Sequence, residues 1–384
     1  MSQILTSPTL ASRLITDNLL ATAPVRTVHI DRIHVTGPLD HKPLGELFYK
    51  LYDGIPVAVG ASAFKPNSKR NPDEVYVRSR EVQANERAYM LEFDCCPPKI
   101  LQGHNFFGHG DPLDYTYAMF DRQTSKFGLA VDPGQREEWK TGQVSITGMH
   151  LCANFWCQPG MQLPFINAID SNNFEGKHRD ERTCITLGFT PKRRSVHHMA
   201  TTYAKDVLLH KEWTRPGPLQ TRIIRTSERS FRVEIKLYSQ WLKENSLEFV
   251  MRWKGVDVNE IFFKILARYN IANAIQPLLT EDERLMLSNA QQRAYMLWLN
   301  GADLKNYFSR TTVWKYITEI EELTGIDMRA NRRPEKLPLA DLRELLVPEN
   351  IVPIPHWAYE NPKRYWAPGT AFLDRGDDLG TWAC

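Results

Sequence analysis

Apolar and polar residues alternate along three segments of the first hundred residues. The run TVHIDRIHVTG at residues 27–37 has this pattern, and so do EVYVRSR at 74–80 and AYMLEFDCC at 88–96. Alternation with a period of two is typical of a strand that buries one face on a core. We therefore predict a first strand at 27–37 followed by paired antiparallel strands, with His29 and His34 on the solvent side of the first strand.

The middle of the chain continues the same kind of pattern. Short apolar or alternating runs bounded by Gly, Pro or polar clusters indicate strands. The segment ATTYAKDVLLH at 200–210 is predicted to be a strand or a strand that passes into a helix, and residues 114–127 are predicted to be helical. DPGQREEWKTG at 132–142 has the composition of a connector. The further predicted strands lie in QVSITGMHLCANFW (143–156), QLPFINAID (162–170), TCITLGF (183–189) and SFRVEIKLY (230–238).

Helical periodicity replaces the strand pattern beyond residue 256. Thr280 and Glu283 form a capping box, and Ser309 is a candidate cap for an apolar stripe that ends at Gly325. The spacing is that of a helix-turn-helix, although two packed helices are an alternative. In a helix-turn-helix the second helix would present three residues near its N-terminus to a DNA groove, namely Arg310, Thr312 and Lys315.

These patterns predict an α+β fold, in which an antiparallel sheet carries the chemistry and a helical C-terminal module follows. The predicted parts are an N-terminal extension (1–26), a catalytic domain (27–255), a helical DNA-binding module (256–330) and a Pro- and Trp-rich tail (331–384). A chain of 384 residues is long enough for more than one such core.

Charge is unevenly distributed along the chain. The formal net charge is only +3, but residues 191–254 hold 14 Lys and Arg against 6 Asp and Glu, a local excess of +8. A basic patch of this kind is typical of a surface that binds a polyanion, although a solvated basic face is the ordinary alternative.

The cysteines and apolar runs exclude some classes of protein. The 6 cysteines form no C-x-x-C pair, so neither a zinc ribbon nor a secreted disulfide framework is indicated. No apolar run approaches the roughly 18 residues of a membrane helix. Asp17 and Asn18 interrupt any signal-peptide core, so the first residues are expected to remain in the mature protein, with an amphipathic helix over 10–20.

Tyr203 is the candidate nucleophile. A phenol has a reference pKa of about 10, so it becomes a good nucleophile only where cations or a metal stabilise its phenolate. Lys205 follows it and could stabilise the phenolate or a departing oxygen, whereas an ordinary strand tyrosine is the alternative. The basic residues that precede it are expected to bind DNA, namely Lys192, Arg193 and Arg194.

Two carboxylates are candidate metal ligands. Asp170 lies in an apolar run and Glu234 in an alternating strand, where an inward-facing carboxylate needs a partner. Oxygen ligands suit Mg²⁺, or Mn²⁺ in its place. Arg232 lies beside Glu234 and would either pair with it or face DNA.

The segment PPKILQGHNFFGHGDP at 97–112 reads as a polar loop, because two prolines stop strand pairing and three glycines permit unusual backbone conformations. Its side chains either contact a phosphate or the metal, or else hold the loop together by bonding to the backbone. The residues concerned are Gln102, Gly103, His104 and Asn105.

Four segments together resemble the replication initiators of filamentous bacteriophages, the gene II and gene X protein family. They are PPKILQGHNFFG (97–108), TTYAKDVLLH (201–210), FRVE (231–234) and the run from Trp298 to Met328. They follow one another in the family's order. In one respect the chain departs from the family pattern, which has an arginine two positions before the aspartate of the INAID segment, where this chain has Ala168.

The resemblance implies initiation of rolling-circle replication, on a sheet related to the palm of rolling-circle initiators. Tyr203 would attack one strand of the double-stranded origin, become linked to the 5′ phosphate and free a 3′ hydroxyl, and a second transfer would close the displaced single strand. The implied partners are these DNA forms and a host helicase and polymerase, in the cytoplasm of a bacterial host. The family also makes a shorter product by internal initiation, for which Met286 and Met296 are candidate starts.

Two other functions are compatible with the residues alone. A relaxase of the His-hydrophobic-His type would need that metal motif close before Tyr203, where adjacent His197 and His198 would instead face opposite sides of a strand. A non-catalytic DNA-binding regulator would need only the C-terminal module.

Overall fold

The computed structural model describes residues 25–64, 75–171, 178–181, 183–190, 193–194, 197–269, 271, 281–299, 302–324, 328 and 345–373. The predicted helix at 10–20, the cap at Thr280 and Lys192 lie outside these residues.

An eight-stranded sheet, antiparallel throughout, lies at the centre of the structure. Its strand order is β4-β5-β1-β6-β12-β11-β8-β7, and β2 with β3 and β9 with β10 form separate two-stranded sheets. The strands are β1 (His29–His41), β2 (Leu47–Tyr52), β3 (Ile55–Ala61), β4 (Tyr76–Val82), β5 (Ala88–Cys95), β6 (Ser145–Trp156), β7 (His178–Glu181), β8 (Cys184–Leu187), β9 (Phe189–Thr190), β10 (Arg193–Arg194), β11 (His198–Tyr203) and β12 (Ser230–Tyr238). The predicted α+β class with an antiparallel sheet is confirmed.

Helices connect and cover the strands. They are α1 (Pro97–Gln102), α2 (Pro112–Lys126), α3 (Pro133–Lys140), α4 (Gln162–Ser171), α5 (Lys205–Glu212), α6 (Pro218–Ser227), α7 (Ser239–Glu244), α8 (Val258–Arg268), α9 (Glu281–Met286), α10 (Asn289–Leu299) and α11 (Arg310–Thr324). Within the described ranges, no helix combines the length and apolar character needed to cross a bilayer.

Three of these helices correct the sequence predictions. The expected strand at 162–170 is α4, because Pro164 fits a first helical turn and Phe165, Ile166 and Ile169 are buried at helical spacing. The expected connector is α3, which begins with an Asp-Pro cap and buries Trp139. The predicted loop at 97–112 begins with α1, since proline is tolerated at the start of a helix.

The hydrophobic core lies on one face of the sheet. Alternate residues of the central strands, among them Ile30, Leu151 and Val233, are fully buried there. They form one apolar cluster with residues of α4, α7 and α8, and Phe120 of α2 packs edge-on against Phe93 at 4.7 Å between ring centroids. Because side chains alternate along a strand, the polar residues between these positions lie on the other face.

The C-terminal segment at 345–373 packs onto the sheet domain. Asn350 donates to the carbonyl of Trp156 at 2.9 Å, and the Trp366 indole donates to buried Asp114 at 2.6 Å. Helices α9 to α11 have an apolar cluster of their own, which includes Leu287 and Ile320.

Candidate active site

The polar face of the sheet carries the candidate active site. Register places Glu234 of β12 opposite Cys152 of β6, and Tyr203 of β11 opposite Arg232 of β12. His150 lies two residues before Cys152 and therefore on the same face. Three adjacent strands thus bring together residues that are about thirty to eighty positions apart in sequence.

Tyr203 is the last residue of β11, just before α5, as the sequence predicted. Its hydroxyl donates to Glu234 Oε2 at 3.4 Å, and the Arg232 guanidinium lies 5.8 Å from its ring centroid. Burial raises the pKa of the phenol well above its usual value; Arg232 lowers it and Glu234 raises it further. The phenol is therefore protonated in this structure, and the neighbouring cations do not by themselves produce a phenolate.

Glu234 is an ionised carboxylate. Its Oε1 lies 2.7 Å from His150 Nδ1. Burial acts to raise the pKa of Glu234, but the hydrogen bond from His150 and the charges of Lys236 and Arg232 outweigh it, so the pKa lies well below its usual range.

Asp31 and Arg232 form a buried ion pair beside these groups. Arg232 is fully buried and donates to Asp31 Oδ1 and to the Asn105 carbonyl, each at 2.8 Å. Asp31 lies where the register between β1 and β6 shifts, and it also accepts from the Asn105 amide at 2.7 Å. Arg232 is thus a positioning residue inside the site, and the structure does not place it on a surface that faces DNA.

Two groups of side chains have metal-ligand spacing. One is Asp31, His150 and Glu234, and the other is His29, Asp31 and Cys152; in each group the ligand atoms lie within 4.8 Å of one another. Arg232 donates to both Asp31 and Cys152, so a guanidinium already neutralises the second group. The first group offers two carboxylates and an imidazole, a donor set that accepts Mn²⁺ as well as Mg²⁺.

The site differs from the sequence prediction in its ligands. Asp170 lies near the end of α4 rather than on a strand, and its side chain is outside the described residues. Asp31 and His150 were missed. The prediction that His29 faces solvent is wrong, because His29 is 2% exposed, with Nε2 2.9 Å from Cys152 Sγ. The sequence contained one signal for Asp31, His150 and His29. Each of them lies at a polar position of a strand in which apolar and polar residues alternate.

The loop after α1 is held by its own side chains. Gln102 donates to the Phe107 carbonyl at 2.7 Å and accepts from the Trp366 amide at 2.7 Å, while His104 Nε2 contacts the Arg364 carbonyl at 2.9 Å. Gly103 ends α1 with a φ of 81°, which favours glycine. Burial lowers the pKa of His104 to about 4. Gln102 and His104 therefore tie the loop to the C-terminal segment, and Asn105 connects it to Asp31.

Lys205 begins α5 next to Tyr203 and is 6% exposed. Burial and the charge of Arg232 lower the pKa of its ammonium, and Asp31 opposes them. Among the described residues its ammonium has no hydrogen-bond or ion-pair partner. A buried cation with unused donors, within the electrostatic reach of Arg232 and Asp31, can receive an anion.

The other predicted DNA-binding residues lie on β10 and α11, outside the strands that carry this site. Arg193 and Arg194 form the short strand β10, of which only the backbone is described. Arg310 and Lys315 are exposed on α11, and the Ser309 hydroxyl accepts a hydrogen bond from the backbone N–H of Thr312 at 3.3 Å. The predicted cap of this helix is thus present.

The replication-associated protein of Enterobacteria phage I2-2, a gene II protein, is 23% identical over 259 residues, which cover 66% of this chain and 74% of that protein. A rolling circle replication initiator protein from Geobacillus stearothermophilus superposes with a TM-score of 0.32 at 12% identity, covering 64% of this chain and 86% of that one.

A family model that describes the N-terminal part of this phage replication-associated protein matches residues 63–256. The matched region runs from just after β3 to just before α8 and includes Tyr203 and Glu234, whereas Asp31 precedes it. The resemblance found in the sequence is confirmed, and the chain belongs to the gene II family of phage replication-associated proteins.

Proposed function

We propose that this chain initiates rolling-circle replication by nicking one strand of a double-stranded phage origin, with Tyr203 as the nucleophile. The observation that carries the proposal is the contact of the Tyr203 hydroxyl with Glu234, a member of the Asp31, His150 and Glu234 group. A tyrosine whose reacting oxygen lies beside a divalent-cation site is suited to attack on a phosphodiester.

The proposed reaction transfers a DNA phosphate to Tyr203 and needs no reductant or oxidant. The Tyr203 oxygen forms a bond to the phosphorus, and the bond from that phosphorus to the 3′ oxygen breaks. The phenol proton leaves toward Glu234 and the 3′ oxygen takes up a proton, so the products are a 5′ phosphotyrosine and a free 3′ hydroxyl. The reverse reaction with a new 3′ hydroxyl would close the displaced strand.

Asp31, His150 and Glu234 would hold a Mg²⁺ or Mn²⁺ ion. When bound, the ion polarises the non-bridging oxygens of the scissile phosphate and lowers the pKa of neighbouring hydroxyls. Glu234 orients the phenol and accepts its hydrogen bond. Because burial raises the pKa of Tyr203, the phenol stays protonated and unreactive until substrate and cation are present.

Lys205 and Arg232 have different roles in this scheme. The unused donors of Lys205 would bind the scissile phosphate or protonate the departing oxygen, for which a lowered pKa is favourable. Arg232 holds Asp31 in place and offsets its buried charge. The C-terminal module, through Arg310, Thr312 and Lys315, would supply affinity for the origin, and a host helicase and polymerase in the bacterial cytoplasm would extend the 3′ hydroxyl.

A relaxase-like metal site is the second candidate. His150, Leu151 and Cys152 form a His-hydrophobic-Cys sequence on β6, close to the His-hydrophobic-His pattern, and it was missed because it lies far before Tyr203. Arg232 donates a hydrogen bond to the Cys152 sulfur, so Cys152 is not a free ligand. This favours Asp31, His150 and Glu234 as the metal ligands.

The test is formation of a covalent complex on supercoiled origin DNA with Mg²⁺ or Mn²⁺. Tyr203→Phe removes one oxygen and keeps the ring, so nicked circles and the detergent-resistant adduct should disappear while DNA binding remains. Tyr269→Phe is the matched control, because its hydroxyl also contacts β11, at the His198 carbonyl, but lies outside the site. An adduct of normal yield from Tyr203→Phe would refute the proposal, as would equal loss in both variants.

A further inference from the structure

The polar face of the sheet continues beyond the active site across β1, β5 and β4. Arg32 of β1 lies opposite His150 of β6, and His34 lies opposite Asp94 of β5. Next in order is β4, in which Arg78 lies opposite Glu92 and Arg80 follows two residues later on the same face. One uninterrupted row of charged side chains therefore leads away from the candidate metal ligands.

Acidic partners hold the cations of this row in place. Arg32 donates to both oxygens of Asp94, at 2.7 and 2.9 Å. Glu92 contacts His34 at 2.7 Å and Arg80 at 3.0 Å. The side chains of Arg32, His34 and Arg80 nevertheless remain 40%, 35% and 46% exposed. Each arginine has five N–H donors and uses only some of them on its carboxylate, so the rest point to solvent.

The pair of Arg32 with Asp94 contributes little to the fold, because an exposed ion pair stabilises a protein by no more than about 1 kcal/mol. Glu92, whose side chain is 7% exposed, instead brings two partners to one buried carboxylate. Three arginines lie on the row, against the two carboxylates of Glu92 and Asp94. Counting only Arg, Lys, Asp and Glu, the row therefore has an excess of one positive charge. The arginines concerned are Arg32, Arg78 and Arg80.

We infer that this face, from His150 to Arg80, binds the phosphates of the DNA strand that flanks the scissile bond. Three inter-strand steps separate β6, which carries His150, from β4, which is about 14 Å at roughly 4.8 Å a step. A DNA strand places one phosphate about every 3.4 Å along a duplex axis, so the row spans roughly four nucleotides. Rigid strands fix the guanidinium positions, and Arg suits phosphate because its donors match two oxygens at once.

The inference rests on the proposed function for the position of the scissile phosphate, but binding can be measured separately from cleavage. The variant is Arg32→Ala with Arg80→Ala, and Arg87→Ala is the control. Arg87 makes a similar exposed pair, 2.6 Å from Asp40 and 46% exposed, at the β4–β5 turn away from the row. The probe is a fluorescent origin oligonucleotide, titrated at several salt concentrations without divalent cation so that cleavage does not interfere.

The double variant should bind about 10- to 100-fold more weakly, and the slope of log K against log salt should fall by about 1.4 to 1.8, since each lost phosphate contact contributes roughly 0.7 to 0.9. Arg87→Ala should match the wild type in both quantities. An unchanged affinity and slope in the double variant would overturn the inference.

A second variant should change DNA affinity in the opposite direction. Asp94→Asn with Glu92→Gln keeps hydrogen-bond acceptors but removes two negative charges from the row, so binding should become tighter. A purely structural role for these carboxylates predicts weaker binding instead, and that result would also reject the inference. If affinities change as expected but no protein forms an adduct with metal, the proposed function fails while the DNA-binding face stands.

Discussion

Replacing Arg232 should destabilise the sheet domain far more than replacing an exposed arginine of similar pairing. Arg232 is fully buried, and the side chain of its partner Asp31 is only 11% exposed. Arg232→Met keeps the length of the side chain but leaves the Asp31 carboxylate buried without its cation. Breaking a buried pair in this way costs about 3–5 kcal/mol. Asp31 keeps the hydrogen bond from Asn105, so the lower end of that range, about 3 kcal/mol, is expected.

Urea unfolding monitored by tryptophan fluorescence measures this loss, with Arg87→Ala as the control at no more than about 1 kcal/mol. Combining Asp31→Asn with Arg232→Met removes the uncompensated charge, so the double variant should be no less stable than Arg232→Met alone. A loss of less than about 1 kcal/mol for Arg232→Met, or fully additive losses in the double variant, would show that the ion pair does not organise the site.

Three further predictions concern the metal, the C-terminal module and pH. Asp31→Asn should lower metal-dependent nicking of supercoiled origin DNA by at least about 100-fold, whereas Asp170→Asn should leave nicking nearly unchanged. A large loss with Asp170→Asn and none with Asp31→Asn would instead support Asp170, the ligand predicted from the sequence. Arg310→Ala with Lys315→Ala should weaken origin binding by about 10- to 100-fold in a mobility-shift assay and spare cleavage of a single-stranded oligonucleotide; equal losses would contradict this division. The pKa of His104 in the folded protein is lowered to about 4, so between pH 6.5 and 4 its imidazole takes up a proton only in the unfolded chain. The free energy of unfolding should therefore fall by up to about 1.4 kcal/mol per pH unit as pH drops through that window. His104→Gln should flatten this dependence in urea titrations, and an unchanged slope would exclude His104 as its source.

Local patterns were sufficient to predict most of the sheet. The alternating runs correspond to β1, β4, β5, β6 and β12, and the segment around Tyr203 follows the second of its two predicted alternatives, a strand that passes into a helix. Alternation reports directly on which residues face a core, because one face of each strand is buried. The apolar run at 162–170 was misassigned because short apolar runs fit a buried strand and a buried helix equally well.

Only part of the candidate site could be predicted from the sequence, for a different reason. Tyr203 and Glu234 stand out because chemically unusual residues surround each of them in sequence. Asp31 and His150 become candidate ligands only because β1 pairs with β6 and β6 pairs with β12. This pairing joins segments about 80 to 120 residues apart. The buried position of Arg232 has the same origin, since an arginine on an alternating strand reads as solvent-facing until its neighbours are known.

Locating the covalent bond in the protein–DNA adduct shows whether Tyr203 itself becomes joined to DNA. The adduct would be trapped on an origin oligonucleotide, digested with trypsin and nuclease, and analysed by mass spectrometry. The chain has 14 tyrosines, but cleavage after Arg194 and Lys205 gives a peptide in which Tyr203 is the sole tyrosine. We expect a nucleotide attached to Tyr203 in this peptide. A nucleotide on a tyrosine of any other peptide would contradict this expectation.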